Sequence, residues 1–496
     1  MTTFTQEEIE YSRRLDVWKW KDFPEINDLV QDVYEAYYAG IYTRKDAIKR
    51  AKKHLKVLLI DLYVAFIDDP KLLIGLPMDP DAYSKRSNWH SIYITSMIVP
   101  IVNRAVEVGL LELWKGNESQ KRVSRIRSTK TLRKLFKKSA LEAYYIDLQN
   151  SNRPPIVFRE KKEKNKKGQR KNYTPHEVPN LTKQDIKNLA HSALIIQEYN
   201  AAINRSYVDI PDLNARRLKV SKSGGKETYV QITQSQKNIY RVFNDFSMDS
   251  GGRFYGPFWQ QMPKRDRYRL YINDEPTVEL DYSGLHINLL YALVGIKRQY
   301  KGSDPYSINL SHYKITKDDA RRLGKQLMLI ALNASDQNKA IAAFREWLRK
   351  EEEDIKDCLP DLTNKTIKPI MTALENKHPP IKDYFYTGLA KGLMKVDSMI
   401  LEDIIQKSLD YGFPVLPIHD SIIVQRRHCP IAKQLMEEAF KNLLHEYIGV
   451  TVSPNSLGLG QFNPQEYKKR TKRYTANLNR WKTWKTMFHY PKSYLR

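Results

Sequence analysis

The stretch TVELDYSGLHINLLYAL, residues 277–293, alternates at first, with Val278 and Leu280 on one side and Glu279 and Asp281 on the other. That period predicts a strand ending in an aspartate, and from Ile287 the apolar spacing becomes that of a helix. Elsewhere a three-to-four period predicts helices in EINDLVQDVYEAYYAG and RKDAIKRAKKHLKVLLIDLYVAFI, over 182–206, in KDDARRLGKQLMLIALNAS (317–335) and in VDSMILEDIIQKSLDYG. YGFPVLPIHDSIIVQ (411–425) reads as two apolar strands flanking His419-Asp420-Ser421, a hairpin with an acid at its tip.

One N-terminal pattern is more particular. The apolar helix SIYITSMIVPIVNRAVEVG is followed by LLELWKGNESQKRVSRIRSTK, a strand, a polar turn and a basic strand, and TKTLRKLFKKS then restarts a helix. A helix followed by a hairpin with Lys121, Arg122, Arg125 and Arg127 on its second arm resembles a winged helix, whose basic wing lies along a phosphate backbone. EKKEKNKKGQRKN (160–172) has no apolar residue and marks a boundary. The expected organisation is a mainly helical nucleic-acid-binding region over 1–160, a basic linker with a helical, thumb-like segment over 161–235, a continuous α+β unit over 236–465, and a basic tail over 466–496.

Charge narrows the function. A net charge of +26 over 496 residues, carried throughout the chain, points to a polyanionic partner, nucleic acid first. The longest apolar run, VLLIDLYVAFI, is shorter than the ~18 residues that cross a bilayer, so no membrane partner is expected. The N-terminus lacks a signal pattern, and Cys358 and Cys429 make no disulfide or zinc set. Both observations suit the cytoplasm, bacterial or of a phage-infected cell. Nothing in the sequence sets an oligomeric state.

Four stretches share a chemistry. MDSGGRFYGPFWQQMP (248–263) brings paired glycines and Arg253, the 277–293 stretch brings Asp281, the 317–335 helix puts Arg321 and Lys325 on one face, and the 411–425 hairpin brings Asp420. Two carboxylates on neighbouring strands can hold two divalent ions that serve phosphoryl transfer, and oxygen ligands suit Mg²⁺, with Mn²⁺ as an alternative. A helix offering Arg and Lys one turn apart can neutralise a nucleoside triphosphate.

Taken in this order, the four stretches resemble the family A nucleic acid polymerases, which include bacterial repair DNA polymerases, phage replicases and single-subunit phage RNA polymerases. Asp281-Tyr282-Ser283-Gly284-Leu285-His286 stands at the D-Y-S-x-[IL]-E motif, Arg321, Lys325 and Asn333-Ala334 at R-x3-K-x7-Y-G, and His419-Asp420-Ser421 at H-D-[ES]. Asp249 to Arg253 matches the D-x-x-G-R of the RNA enzymes. The resemblance covers roughly 240–465. It implies a right-hand palm with an antiparallel sheet and helical fingers, with Asp281, Asp420 and the Tyr282 backbone carbonyl on two Mg²⁺. It also implies nucleotide contacts from Arg321, Lys325, His286 and Asn333, and template or primer contacts from Arg253 and His419.

Two positions depart from the pattern. His286 replaces the glutamate that excludes ribose in the DNA enzymes, and Asn333-Ala334 replaces Tyr-Gly. The bulk of His286 favours deoxynucleotides. No aspartate in residues 1–240 is followed two places later by glutamate, so a proofreading exonuclease is not expected. The reading is a compact DNA polymerase of a phage or mobile element. A single-subunit RNA polymerase or primase-like enzyme, a template-independent terminal transferase and an inactive replication initiator stand as alternatives. In the tail, Trp481 and Trp484 among Lys and Arg offer stacking faces for bases.

Overall fold

The computed structural model describes residues 4–453 except 86, 117–122, 140, 142–152, 161–170, 214–216, 222–226, 274, 297–303, 312, 314, 351–358, 360 and 447. Lys121, Arg122, Trp481 and Trp484 lie outside the described residues. Apolar side chains gather into two cores, one drawn from Tyr11 to Phe136 and one from Ile156 to Val450.

The first core is built by β1 (Ser12–Arg14), α1 (Pro24–Tyr37), α2 (Lys45–Asp68), β2 (Leu73–Leu76), α3 (Ile98–Glu107), β3 (Leu111–Trp114), β4 (Ser124–Ser128) and α4 (Lys130–Lys138). The apolar period predicted for α2 is buried from Leu55 to Ala65, including Asp61, which receives Arg13 Nη1 at 2.7 Å. The strands order β1-β2-β4-β3, so the predicted basic hairpin is present with its second arm inside the sheet. That position uses up its arginines. Arg127 pairs with Glu8 at 2.9 Å and Glu112 at 2.7 Å, and Arg125 Nε donates to Ser12 Oγ at 2.8 Å. β4 is flanked on both sides by β2 and β3, and its arginines meet Glu112 of β3, Ser12 of β1 and Glu8, which precedes β1.

The second core begins earlier than the expected boundary at 236. It takes in β5 (Ile156–Arg159), β6 (Asn172–Tyr173) and α5 (Lys183–Asn204), whose Tyr199 hydroxyl donates to Val415 O at 2.7 Å. After β7 (Val208–Asp209), a hairpin of β8 (Arg217–Ser221) and β9 (Glu227–Gln231) reaches across to the first unit. There Tyr229 donates to Glu7 at 2.9 Å and its ring meets Tyr11 edge-on at 5.7 Å. β10 (Tyr240–Phe243) and β11 (Gly251–Tyr255) then complete the sheet β11-β10-β5-β6.

The sheet that matters for the site is six-stranded. β12 (Tyr271–Ile272) leads into β13 (Glu275–Tyr282), which is followed by α6 (Leu285–Leu293), α7 (Lys317–Asn333), α8 (Gln337–Lys350), α9 (Asn364–Lys377) and α10 (Ala390–Asp410). The hairpin β14 (Leu416–Ile418) and β15 (Ser421–Gln425), then α11 (Cys429–Leu444) and β16 (Val450–Val452), close the unit. The order is β14-β15-β13-β12-β7, with β16 also on β13. Val278 opposes Val424 and Leu280 opposes Ile422, so the alternation read in the sequence fixes the register and sends the acidic side chains to the other face. That face is not bathed in solvent. Glu279 is buried, held by Arg267 at 2.9 Å and by the Ser421 hydroxyl at 2.9 Å. The step from β13 into α6 turns on Gly284, at φ +66°, a left-handed conformation that a side chain disfavours.

Candidate active site

β13 delivers Asp281 between two partners, opposite Ser421 of β15 and Thr451 of β16. Asp420 precedes Ser421 in the two-residue tip of the β14–β15 hairpin, so the two aspartates are neighbours across one strand pair. His419, the other tip residue, takes φ +51°, uncommon without glycine. Burial first, and then the Asp420 charge, push the Asp281 carboxyl above the ordinary aspartate range. Lys264 opposes this with its ammonium 3.1 Å from Asp281 Oδ2. Lys264 and Arg267 come from one basic turn, and both serve acidic positions of β13. The Tyr282 side chain points away, its hydroxyl donating to Met436 O at 2.6 Å, which leaves only its backbone to face the site.

Across from the hairpin, α7 starts at Thr316, whose hydroxyl accepts from the Asp319 amide, and it buries Leu323, Leu327 and Ile330 as predicted. Arg321 and Lys325 are left on the exposed face. Together with Arg253, His286, Asn333, His419 and Asp420 they line one open cleft of about 540 Å³, within the size range of small-molecule sites. Arg321 is ion-paired with Asp304, whereas Lys325 has no ion-pair partner among the described residues. Asn333 turns back on its own helix, donating to Leu329 O at 2.7 Å.

Besides Lys264 and Arg267, three contributors escaped the sequence reading. Asp397, fully buried on α10, receives Arg253 Nε at 3.1 Å and stands 3.0 Å from His286 Nε2. Against the cost of burial, this carboxylate holds Arg253 above its ordinary value. Asp397 was visible as the odd charged position among Leu393, Ile400, Leu401 and Ile404 of an otherwise apolar helix face. Arg241 ties the same helix to β11, donating to Gly252 O at 2.6 Å, Glu402 at 2.6 Å and Ser398 at 3.0 Å. Tyr306 lies with its ring 5.8 Å from Arg321 and 5.9 Å from Lys325, and burial with the charges of Asp420 and Asp281 pushes its hydroxyl up to about 12. No pattern in the sequence marks it. α7 is seated against this residue: a Cβ on Gly324 would collide with the Tyr306 carbonyl oxygen.

His419 is also held by its surroundings. Burial, and then Arg253, push its imidazole below the ordinary histidine range, and its Nδ1 is buried without a partner among the described residues. Its ring meets Tyr255 of β11 at 5.6 Å.

Among the described residues no three His, Cys, Asp or Glu side chains gather as a metal cluster. Asp281 and Asp420 bring two carboxylates to the site. Such a pair fits a hard divalent cation that keeps water and phosphate oxygens for its remaining positions, and a cation there would offset the burial and the Asp420 charge that raise Asp281.

No protein-family model matches the chain, and no curated protein matches it. Among solved structures, the polymerase domain of Pol1 from M. smegmatis, in complex with DNA primer-template and dNTP, is similar at 15% identity and a TM-score of 0.25. The match covers 60% of this chain and 58% of that one. No helix among the described residues is long and apolar enough to cross a membrane.

Proposed function

We propose that the chain is a template-directed nucleotidyltransferase, a DNA polymerase without proofreading that joins a nucleoside triphosphate to the 3′-hydroxyl of a nucleic-acid primer. The observation that carries this reading is the cleft itself, in which Asp420 on the hairpin faces Arg321 and Lys325 on α7, with Asp281 in register beside it.

In this reading Asp281 and Asp420, with the Tyr282 carbonyl, hold Mg²⁺ or Mn²⁺. Bound there, the metal would lower the pKa of the attacking hydroxyl and neutralise charge on the phosphates. Lys264 is ion-paired with Asp281 at 3.1 Å and would have to release that carboxylate for a metal to be held there. Lys325 and Arg321 grip the triphosphate, and Arg321 exchanges Asp304 for phosphate oxygens. His286, fixed by Asp397, stands at the sugar, and Arg253, fixed by the same carboxylate, borders the strand that carries the 3′-end. The net charge of +26 suits a polyanionic template.

Extension of a labelled primer on a defined template tests the whole reading, run separately with deoxy- and ribonucleotides and with and without primer. Templated, primer-dependent extension by deoxynucleotides alone is expected. Primer-independent RNA would instead make the chain an RNA polymerase or primase-like enzyme. Tight nucleic-acid binding without any product would leave an inactive initiator. Within the active enzyme, Lys325→Ala is expected to raise the nucleotide KM about tenfold, the cost of one charge-assisted contact, and to leave template affinity unchanged. Equal losses in both would remove the triphosphate role from Lys325.

A further inference from the structure

The buried Asp397 carboxylate decides which nitrogen of the His286 ring carries a proton. It receives Arg253 Nε at 3.2 Å on Oδ1 and at 3.1 Å on Oδ2, and Arg253 Nη2 also donates to Oδ2. His286 Nε2 lies 3.0 Å from that same Oδ2 and 3.4 Å from Arg253 Nη2. An ionised carboxylate only accepts hydrogen bonds, so Nε2 must bring the proton. A bare Nε2 would turn its lone pair on a carboxylate oxygen, and the longer contact to Arg253 is too weak to offset that. Arg253 already balances the Asp397 charge, and a doubly protonated ring would set a second cation beside the guanidinium.

One proton on Nε2 leaves Nδ1 as an acceptor. The His286 side chain is 21% exposed, in the cleft that it lines with Asp420, Arg321 and Lys325. Its Nδ1 makes no hydrogen bond among the described residues, and unlike His419 Nδ1 it is not sealed from solvent. The cations and carboxylates around it suit phosphate and metal. A bare ring nitrogen serves neither the phosphates of a nucleotide, which only accept, nor the cations, which have anions to hold. Its match is a hydroxyl.

Resting on the nucleotidyltransferase reading of the cleft, we propose that His286, held by Asp397 as the Nε2–H tautomer, offers Nδ1 as the acceptor for the sugar 3′-hydroxyl of the incoming nucleotide. Apart from the base, that hydroxyl is the one donor a deoxynucleoside triphosphate carries. His286 stands in the first turn of α6, five positions after Asp281, beside the carboxylates where the α-phosphate would react. Asp397 acts through the ring and is a positioning residue. The ring therefore reads a hydroxyl that the sugar has, as well as filling space.

Nitrogen-15 spectra of the histidine-labelled full chain read the tautomer, with His286→Phe identifying the His286 signals. A protonated Nε2 and a bare Nδ1 are expected at mildly alkaline pH. A bare Nε2, or a ring protonated on both nitrogens, overturns the proposal. Asp397→Leu with Arg253→Met removes the lock, and the ring is then expected to show a mixture of tautomers. Primer extension compares kcat/KM for deoxy-, 2′,3′-dideoxy- and ribonucleotides. In His286→Phe, which keeps a ring and loses the acceptor, the preference for deoxy- over dideoxynucleotide is expected to fall about tenfold, the worth of one hydrogen bond. His286→Asn, which brings an amide oxygen near the place of Nδ1, is expected to regain part of it. An unchanged preference in His286→Phe overturns the proposal, and so does a loss confined to ribonucleotides, which would put the acceptor at the 2′-hydroxyl. A wild-type chain that extends no primer overturns the nucleotidyltransferase reading and this proposal together, whereas an unchanged preference in a chain that does extend overturns this proposal alone.

Discussion

Alanine at Asp281 or at Asp420 is expected to lower nucleotide incorporation by about 10³-fold or more, with nucleic-acid affinity held within about twofold. The magnitude follows from charge stabilisation worth several kcal/mol in the transition state, each ~1.4 kcal/mol being tenfold in rate. Steady-state primer extension beside a binding titration checks it, and synthesis that survives either change would remove the two-aspartate assignment. Asp281 offers a second readout. Its folded pKa is raised, so folding favours the protonated form: the stability this group contributes is present at low pH and is lost as pH rises through the folded pKa. Asparagine stands in for the neutral acid. Asp281→Asn should therefore melt at or above the wild-type temperature at neutral pH while being inactive, the mark of a charge kept for function rather than for stability. A variant that melts well below the wild type would make Asp281 a structural residue.

The second large effect is expected at Asp397. Asp397→Ala leaves the half-buried Arg253 without its counter-ion and frees His286, at a cost of about 3–5 kcal/mol in stability. Urea denaturation measures the loss. The pair can be separated from its chemistry: Asp397→Leu with Arg253→Met removes both charges and should recover most of the stability, since a buried ion pair is replaced by apolar groups. Incorporation should stay low in that double variant because His286 has lost its anchor and the cleft its arginine. Full recovery of synthesis would reduce the Asp397–Arg253 pair to a packing element.

Much of the site was legible in the sequence because its parts are local. The alternation through Val278 and Leu280 sets which face Asp281 occupies, and the three-to-four period of 317–335 sets Arg321 and Lys325 on the solvent side of a helix whose other face is apolar. The hairpin at His419-Asp420-Ser421 follows from two apolar runs separated by three polar residues, and the structure pairs Ser421 into the second strand. What stayed hidden depends on contacts between distant segments. Asp397 is 144 positions from Arg253, and its burial is decided by β11 folding over α10. Lys264 and Arg267 carry no local mark of their contacts, which depend on the sheet placing Asp281 and Glu279 within their reach. Arg125 and Arg127 read as a basic arm, but local pattern cannot say that β2 and β3 flank it on both sides. The extent of the second core was likewise invisible, because the low-complexity stretch at 160–172 interrupts the pattern between β5 and α5 without dividing their packing.

The seat of α7 against Tyr306 bears on how this chain would diverge. Between Arg321 and Lys325, Gly324 is dictated by the backbone of another segment, since any side chain there meets a carbonyl oxygen that has no rotamer to escape into. Descendants that keep this seat of α7 must also keep that glycine, which faces the Tyr306 backbone. In any lineage it would be as invariant as the charges beside it. An invariant R-x-x-G-K would therefore record two separate selections, one for the triphosphate contact proposed for the charges and one for the closeness of two chain segments.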